Sequence, residues 1–223
     1  MKRNMLLLFA LSPCLCDLSY GQCNPYFEFE KGSQWEITNY NAKDKSQGRQ
    51  TTEILDVDTH SDGWDAKMKF FLYDKKDELV YDKEIEMSCQ GGVVAMDITR
   101  LLPDEQLEAF QDLNMKIEMD NLEIPAQLEA GMALDDGSVT ISGDLPMKMT
   151  VAITDRVVEG KESVTTPAGV FDCYKINYST SVKMMINRLG SGADWIAEGV
   201  GLVKTESYNS SGKLVSYSLL TSR

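Results

Sequence analysis

Apolar and polar residues alternate along much of this chain, and the alternating runs are separated by very short turns. The clearest run is 64–73, where Trp64, Ala66, Met68, Phe70 and Leu72 occupy every second position and three of the residues between them are charged. A period of two is typical of a β-strand with one buried face. The turns on either side of this run, at 60–63 and 74–77, are too short for a parallel crossover connection. The pattern therefore predicts an antiparallel meander.

Other parts of the chain extend this prediction. We expect strands at 33–40, 49–59, 64–73, 78–88, 93–98, 147–159, 170–182, 193–198, 202–209 and 213–221. In 78–88 the apolar face carries one exception, Lys83. We expect a long hairpin to join 147–159 to 170–182, and loops with short strands over 115–143.

One segment has a different period. Pro103 suits the first turn of a helix, and apolar residues then recur at three-residue spacing over 103–113. The fold class we predict is mainly β: a strongly curved antiparallel sheet or unclosed barrel, with this one short helix lying across it.

The N-terminus carries the pattern of a secretion signal. Lys2 and Arg3 precede an apolar run that is too short for a membrane anchor, and Ser19 and Gly21 form a small-x-small cleavage site. We expect residues 1–21 to be removed and 22–223 to form a single β-rich domain, exported to the periplasm or the exterior.

The charge of the mature chain restricts its partners. It holds 20 basic and 34 acidic residues, a net charge of −14, which disfavours nucleic acid. No later segment has the apolar length of a transmembrane span. Lipid anchoring is not expected, because no small residue directly precedes Cys14, Cys16 or Cys23.

Three cysteines remain after cleavage, in an environment where disulfides persist. Cys23, Cys89 and Cys173 allow one bridge with one thiol left over, and sequence alone leaves all three pairings open.

No catalytic or metal signature stands out. His60, the only histidine, lies in a predicted turn, and a lone histidine cannot supply the usual zinc or Ser–His–Asp arrangements. The acidic run at 56–62 lacks the spacing of a calcium loop. We expect a protein that is not an enzyme and has no cofactor; a hydrolase that uses two carboxylates is a remaining alternative.

Methionine is abundant in the C-terminal half. Seven of the ten methionines of the mature chain follow position 114, and flexible, polarizable methionine suits a surface that accepts varied apolar shapes. One hypothesis is a hydrophobic cavity roofed by helix 103–113; the other is an ordinary core with methionine as filler. The candidate ligand-binding residues are Met147, Met149, Tyr174, Tyr178, Met184 and Trp195.

Several stretches resemble a known family. GKESVTTPAGVFDCYKI (160–176) and DWIAEGVGLVKTESY (194–208) resemble the signature of the TapB-like family, secreted bacterial proteins with a domain of unknown function. Residues 23–36 and 121–139 resemble its start and its middle region. The resemblance implies an architecture similar to the LolA and LolB lipoprotein carriers, in which an open antiparallel sheet binds an acyl chain. The chain departs from it in 99–143, which supplies one clear helix rather than a full helical lid.

Two functions follow as expectations. The first is a non-enzymatic envelope or periplasmic protein that binds a lipid, another apolar ligand or a lipidated envelope partner. The second is a structural or protein-interaction module of the envelope with a filled core. A pocket lined by methionine and aromatic residues and larger than about 300 Å³ would favour the first.

Overall fold

A computed structural model describes residues 23–27, 29–96, 116–120, 122–143, 148–183 and 187–223. Within these ranges the regular structure is entirely β. The strands are β1 (Gln34–Asn41), β2 (Ser46–His60), β3 (Gly63–Asp74), β4 (Leu79–Gln90), β5 (Val93–Met96), β6 (Lys116–Asp120), β7 (Ile124–Pro125), β8 (Gly137–Ser142), β9 (Met149–Thr166), β10 (Gly169–Lys183), β11 (Arg188–Ala197), β12 (Gly201–Asn209) and β13 (Leu214–Ser222).

All these strands belong to one antiparallel sheet. Its order is β6-β8-β9-β10-β11-β12-β13-β1-β2-β3-β4-β5-β7, and it is not closed into a barrel. Most neighbours in the sheet are also neighbours in sequence. The pairing of β1 with β13 joins the two halves of the chain, with Ile37 opposite Leu220 near one end of the paired stretch.

The two edges of this sheet must lie close together. With strands about 4.8 Å apart, a flat sheet of this order would separate β6 from β7 by nearly 60 Å. Only three residues join the end of β6 to the start of β7, and they reach at most about 14 Å. The sheet is therefore strongly curved, with one face turned inward.

The strands agree with the sequence-based prediction to within a few residues at most ends. The connection between β9 and β10 is different. The expected hairpin is present, but β9 runs on to Thr166 instead of ending at 159, and β10 begins at Gly169, so the two strands are joined by a two-residue turn. The predicted helix 103–113 lies outside the described residues.

Three clusters of buried side chains hold the sheet together. The first spans β2 to β5 and comprises Ile54, Trp64, Ala66, Met68, Ile85, Met87, Cys89 and Val94. The second covers the other half of the same face and comprises Tyr26, Leu128, Leu134, Val158, Ile176 and Ile196. Phe27 packs against both and so connects the two clusters. A third cluster lies on the opposite face of β10 and β11 and comprises Val164, Cys173, Ala193, Trp195, Ala197 and Val203.

Candidate ligand-binding pocket

The segment 23–29 lies against the inner face and is held there by several bonds. Cys23 forms a disulfide with Cys89 on β4, one of the three pairings that the sequence leaves open. Asn24 is completely buried, and its side-chain amide donates to the carbonyl oxygens of Gly92 (3.0 Å) and Ile124 (2.8 Å). These bonds place two aromatic side chains, Phe27 and Phe29, over strands β1 to β4.

The inner face of β1 to β4 consists of rows of directly opposed residues. One row is Ile37, Gln50, Leu72 and Tyr81. The next is Trp35, Thr52, Phe70 and Lys83. A third is Ile54, Met68 and Ile85. The alternation that the sequence shows in 64–73 and 78–88 therefore produces one wall.

A cavity of about 370 Å³ lies between this wall and the segment 23–29. We call it the apolar pocket. Its lining residues are Phe27, Phe29, Trp35, Ile37, Gln50, Thr52, Met68, Phe70, Leu72, Tyr81, Ile85, Met87, Val200, Gly201 and Leu202. No charged side chain is among them.

Aromatic contacts define one end of the apolar pocket. Phe29 stacks on Trp35, with ring centroids 5.7 Å apart, and meets Trp64 edge to face at 5.1 Å. Phe70 and Tyr81 meet at 6.0 Å on the β3–β4 side. Burial raises the pKa of Tyr81, so its hydroxyl is neutral and can hydrogen-bond at physiological pH.

The residues proposed from sequence lie elsewhere. Tyr174 and Tyr178 are on the inner face of β10, and Met149 begins β9; Trp195 is on the opposite face of β11, in the third cluster. None of these four lines the apolar pocket. Met147 and Met184 lie outside the described residues, and a ligand-binding role for the set of six stays a prediction.

The two candidate tyrosines predicted from the sequence, Tyr174 and Tyr178, contact other side chains of the protein. Tyr174 meets Tyr26 edge to face at 6.1 Å. Tyr178 donates its hydroxyl to Asp194 at 3.2 Å. Burial, followed by the nearby Asp194 carboxylate, raises the pKa of Tyr178.

Asp194 and Arg156 form the polar interior of this half of the sheet. Arg156 is 4% exposed and donates to the carbonyl oxygens of Asp135 (2.6 Å) and Glu123 (3.1 Å). Burial raises the pKa of Asp194, while its hydrogen bonds to Thr205 and Tyr178 and the charge of Arg156 oppose the rise. The groups that hydrogen-bond to Asp194 are the hydroxyls of Thr205 and Tyr178.

Trp195 lies in a network of charged residues. Its indole N–H donates to Glu162, and the ammonium groups of Lys204 and Lys175 lie 4.3 and 5.5 Å from its ring centroid. A groove of about 470 Å³ beside it is lined by the charged residues Glu162, Lys204 and Glu206 together with polar and aliphatic residues. Lys204 and Glu206 pair at 2.7 Å, so these charges have partners within the chain.

The described residues contain no group of three or more His, Cys, Asp or Glu side chains placed to hold a metal ion. In the same part of the chain, no helix has the length and apolar character needed to cross a membrane.

The fold and the pocket define an antiparallel β protein whose open sheet surrounds an apolar cavity. The profile of a family described as DUF3108-like matches residues 30–220, which is most of the sequence. The chain belongs to this DUF3108-like family, whose function is unknown.

Two solved structures are similar over nearly the whole chain. One is a candidate lipoprotein from Parabacteroides distasonis ATCC 8503, with 26% identity and a TM-score of 0.73, covering 91% of this chain and 99% of the other. The second is a candidate exported protein with a YmcC-like fold from Bacteroides fragilis NCTC 9343, with 20% identity and a TM-score of 0.72, covering 90% and 99%. No curated protein matches the sequence.

These comparisons confirm only part of the resemblance to the TapB-like family that was described from the sequence. They show the DUF3108-like family and a structural similarity to YmcC-like candidate lipoproteins. They do not confirm the TapB-like family itself or an architecture like that of LolA and LolB.

Proposed function

We propose that this chain is an exported, non-enzymatic binding protein that holds an apolar ligand in the apolar pocket. The observation that carries the proposal is a cavity of about 370 Å³ lined by aromatic, methionine and aliphatic side chains without a charge. Ligand sites in proteins are typically about 300–1,000 Å³ and mostly apolar, with a few polar groups. A module with a filled interior would lack such a cavity.

We assign the ligand to the apolar pocket rather than to the larger groove beside Trp195 because the side chains that line the two sites differ in charge. Charges line that groove and pair with each other, whereas the apolar pocket offers uncharged surface to a ligand. Transfer of apolar surface from water into such a site is favourable by about 25 cal/mol per Å².

Export is part of the proposal. It is supported by the signal pattern at 1–21 and by the descriptions of the two similar structures as a candidate lipoprotein and a candidate exported protein. A disulfide at Cys23–Cys89 is also consistent with an oxidising compartment. On this proposal the mature protein is the single domain 22–223.

Titration with the neutral fluorescent probe N-phenyl-1-naphthylamine tests the proposal. Phe70 lines the pocket, whereas Phe71, its neighbour on β3, points to the opposite face and lies 5.2 Å from the ammonium group of Lys69. The Phe70→Lys variant places a charge in the pocket and is expected to lower probe affinity at least tenfold, because a buried, unpaired charge is strongly unfavourable. Phe71→Lys is the matched control and should bind within about twofold of the parent protein.

Leu72→Trp is a second variant that fills the pocket without adding charge, and it should also weaken binding. Circular dichroism and thermal unfolding of each variant verify that it is folded. The proposal is wrong if the parent protein shows no saturable binding, or if Phe71→Lys loses as much affinity as Phe70→Lys.

A further inference from the structure

Two polar side chains interrupt the lining of the apolar pocket at neighbouring positions. Gln50 and Thr52 lie two residues apart on β2 and so share its inner face. Gln50 is opposite Ile37 and Leu72, and Thr52 is opposite Trp35 and Phe70. Both polar groups are thus surrounded by apolar neighbours at the centre of one wall.

Neither side chain has a hydrogen-bond partner among the described residues, although Thr52 is only 6% exposed. The other buried polar residues in this part of the chain all have partners. Thr140 pairs with Thr150 at 3.1 Å, Thr166 accepts from the Ala168 N–H at 3.2 Å, and Asn24 and Arg156 donate to backbone carbonyls. Thr52 is therefore the exception in that set.

This exception has a physical consequence. Buried polar groups in folded proteins are almost always hydrogen-bonded, because leaving one without a partner destabilises the fold. No fully buried side-chain nitrogen or oxygen among the described residues lacks a hydrogen-bond partner. The unpaired hydroxyl of Thr52 and the half-buried amide of Gln50 therefore open onto the cavity, where an occupant can supply their partner.

We propose that the ligand is a single-chain lipid whose neutral ester, amide or hydroxyl group hydrogen-bonds to Gln50 and Thr52 while its hydrocarbon chain fills the apolar pocket. This proposal rests on the proposed function and specifies its ligand. Glutamine and threonine each offer both a donor and an acceptor, which matches such a group. An ionised carboxylate or phosphate is disfavoured inside the pocket, since none of its lining residues is charged and Lys83, opposite Phe70 on the same wall, is not one of them.

The test compares two ligands with the same acyl chain, 1-monodecanoylglycerol and decanoate, by displacement of N-phenyl-1-naphthylamine. The parent protein should bind the ester at least tenfold more tightly than the anion. Thr52→Val removes the hydroxyl and keeps the shape. It should weaken binding of the ester about 3- to 10-fold, the value of one hydrogen bond. Affinity for the naphthylamine probe should stay within twofold.

Thr51→Val is the matched control, because Thr51 lies on the same strand and the opposite face, and it should not change either affinity. Gln50→Met is a second variant with the same expected effect as Thr52→Val. The inference is overturned if decanoate binds as tightly as the ester, or if Thr52→Val and Gln50→Met both bind the ester as the parent does. Absence of probe binding to the parent would instead refute the proposed function, so the two failures are distinguishable.

Discussion

The Cys23–Cys89 disulfide should provide a large share of the stability of this protein, and its removal gives a quantitative test. The two cysteines are 66 residues apart in sequence. In the chain-entropy description, closing a loop of this length in the unfolded chain stabilises the folded state by about 4 kcal/mol. The double variant Cys23→Ala/Cys89→Ala should therefore unfold about 8–16 °C lower than the parent, as expected for a chain of this size.

Urea unfolding with and without tris(2-carboxyethyl)phosphine measures this effect. The reductant should lower the midpoint of the parent and leave that of the double variant unchanged. Cys173 is fully buried, and burial raises the pKa of its thiol to about 11, so it should stay unreactive. The variant Cys173→Ala should therefore keep the response of the parent to reductant. A parent midpoint that does not respond to complete reduction would refute the reasoning.

The same double variant should also bind N-phenyl-1-naphthylamine more weakly. The disulfide holds the segment that carries Phe27 and Phe29, which line the apolar pocket. Comparison with Cys173→Ala at a temperature where both variants are folded separates this effect from unfolding.

Three further results are expected. Arg156→Met should lower the free energy of unfolding measured in urea by about 3 kcal/mol, because it removes a buried cation that satisfies two backbone carbonyls. Arg188→Met, at an exposed position, should change stability by less than about 0.5 kcal/mol. Equal losses in the two variants would contradict the structural role of Arg156. Burial raises the pKa of Asp194, so the folded state binds its proton more tightly than the unfolded state, and stability should fall as pH rises from about 4 through the raised pKa. Asp194→Asn should remove that fall and raise the unfolding temperature at pH 7; an unchanged pH profile would count against it. Intact mass spectrometry of protein exported by its own signal should show a chain that begins at Gln22, and a lipidated Cys23 would contradict that prediction.

The sequence identifies strands well because their signal is local. In 64–73, and in 78–88 except at Lys83, every second residue is apolar independently of the rest of the chain, and the structure forms β3 and β4 there. The β9–β10 connection was predicted less well. The sequence predicts the hairpin but ends its first strand at 159, whereas pairing with β10 extends that strand through the polar residues 160–166.

The sequence predicts the chemical character of the binding site but not its position in the fold. A methionine- and aromatic-lined cavity is expected from composition, but the apolar pocket contains Met68 and Met87 rather than the methionines of the C-terminal half. Two sequence features could have indicated the position of the pocket: the apolar alternation in β3 and β4, and the aromatic residues Phe27 and Phe29 just after the predicted cleavage site.

By itself, the sequence determined that this chain forms an antiparallel β protein and carries an export pattern, because both depend on residues adjacent along the chain. Only the tertiary structure decided which cysteines pair, which strands form the wall and which polar groups stay without partners. Each of these depends on contacts between residues far apart in sequence, such as Cys23 with Cys89 and Thr52 with Trp35 and Phe70. The side chains of Gln50 and Thr52 look ordinary in the sequence, and they become informative only when the curved sheet makes them part of the lining of an uncharged cavity.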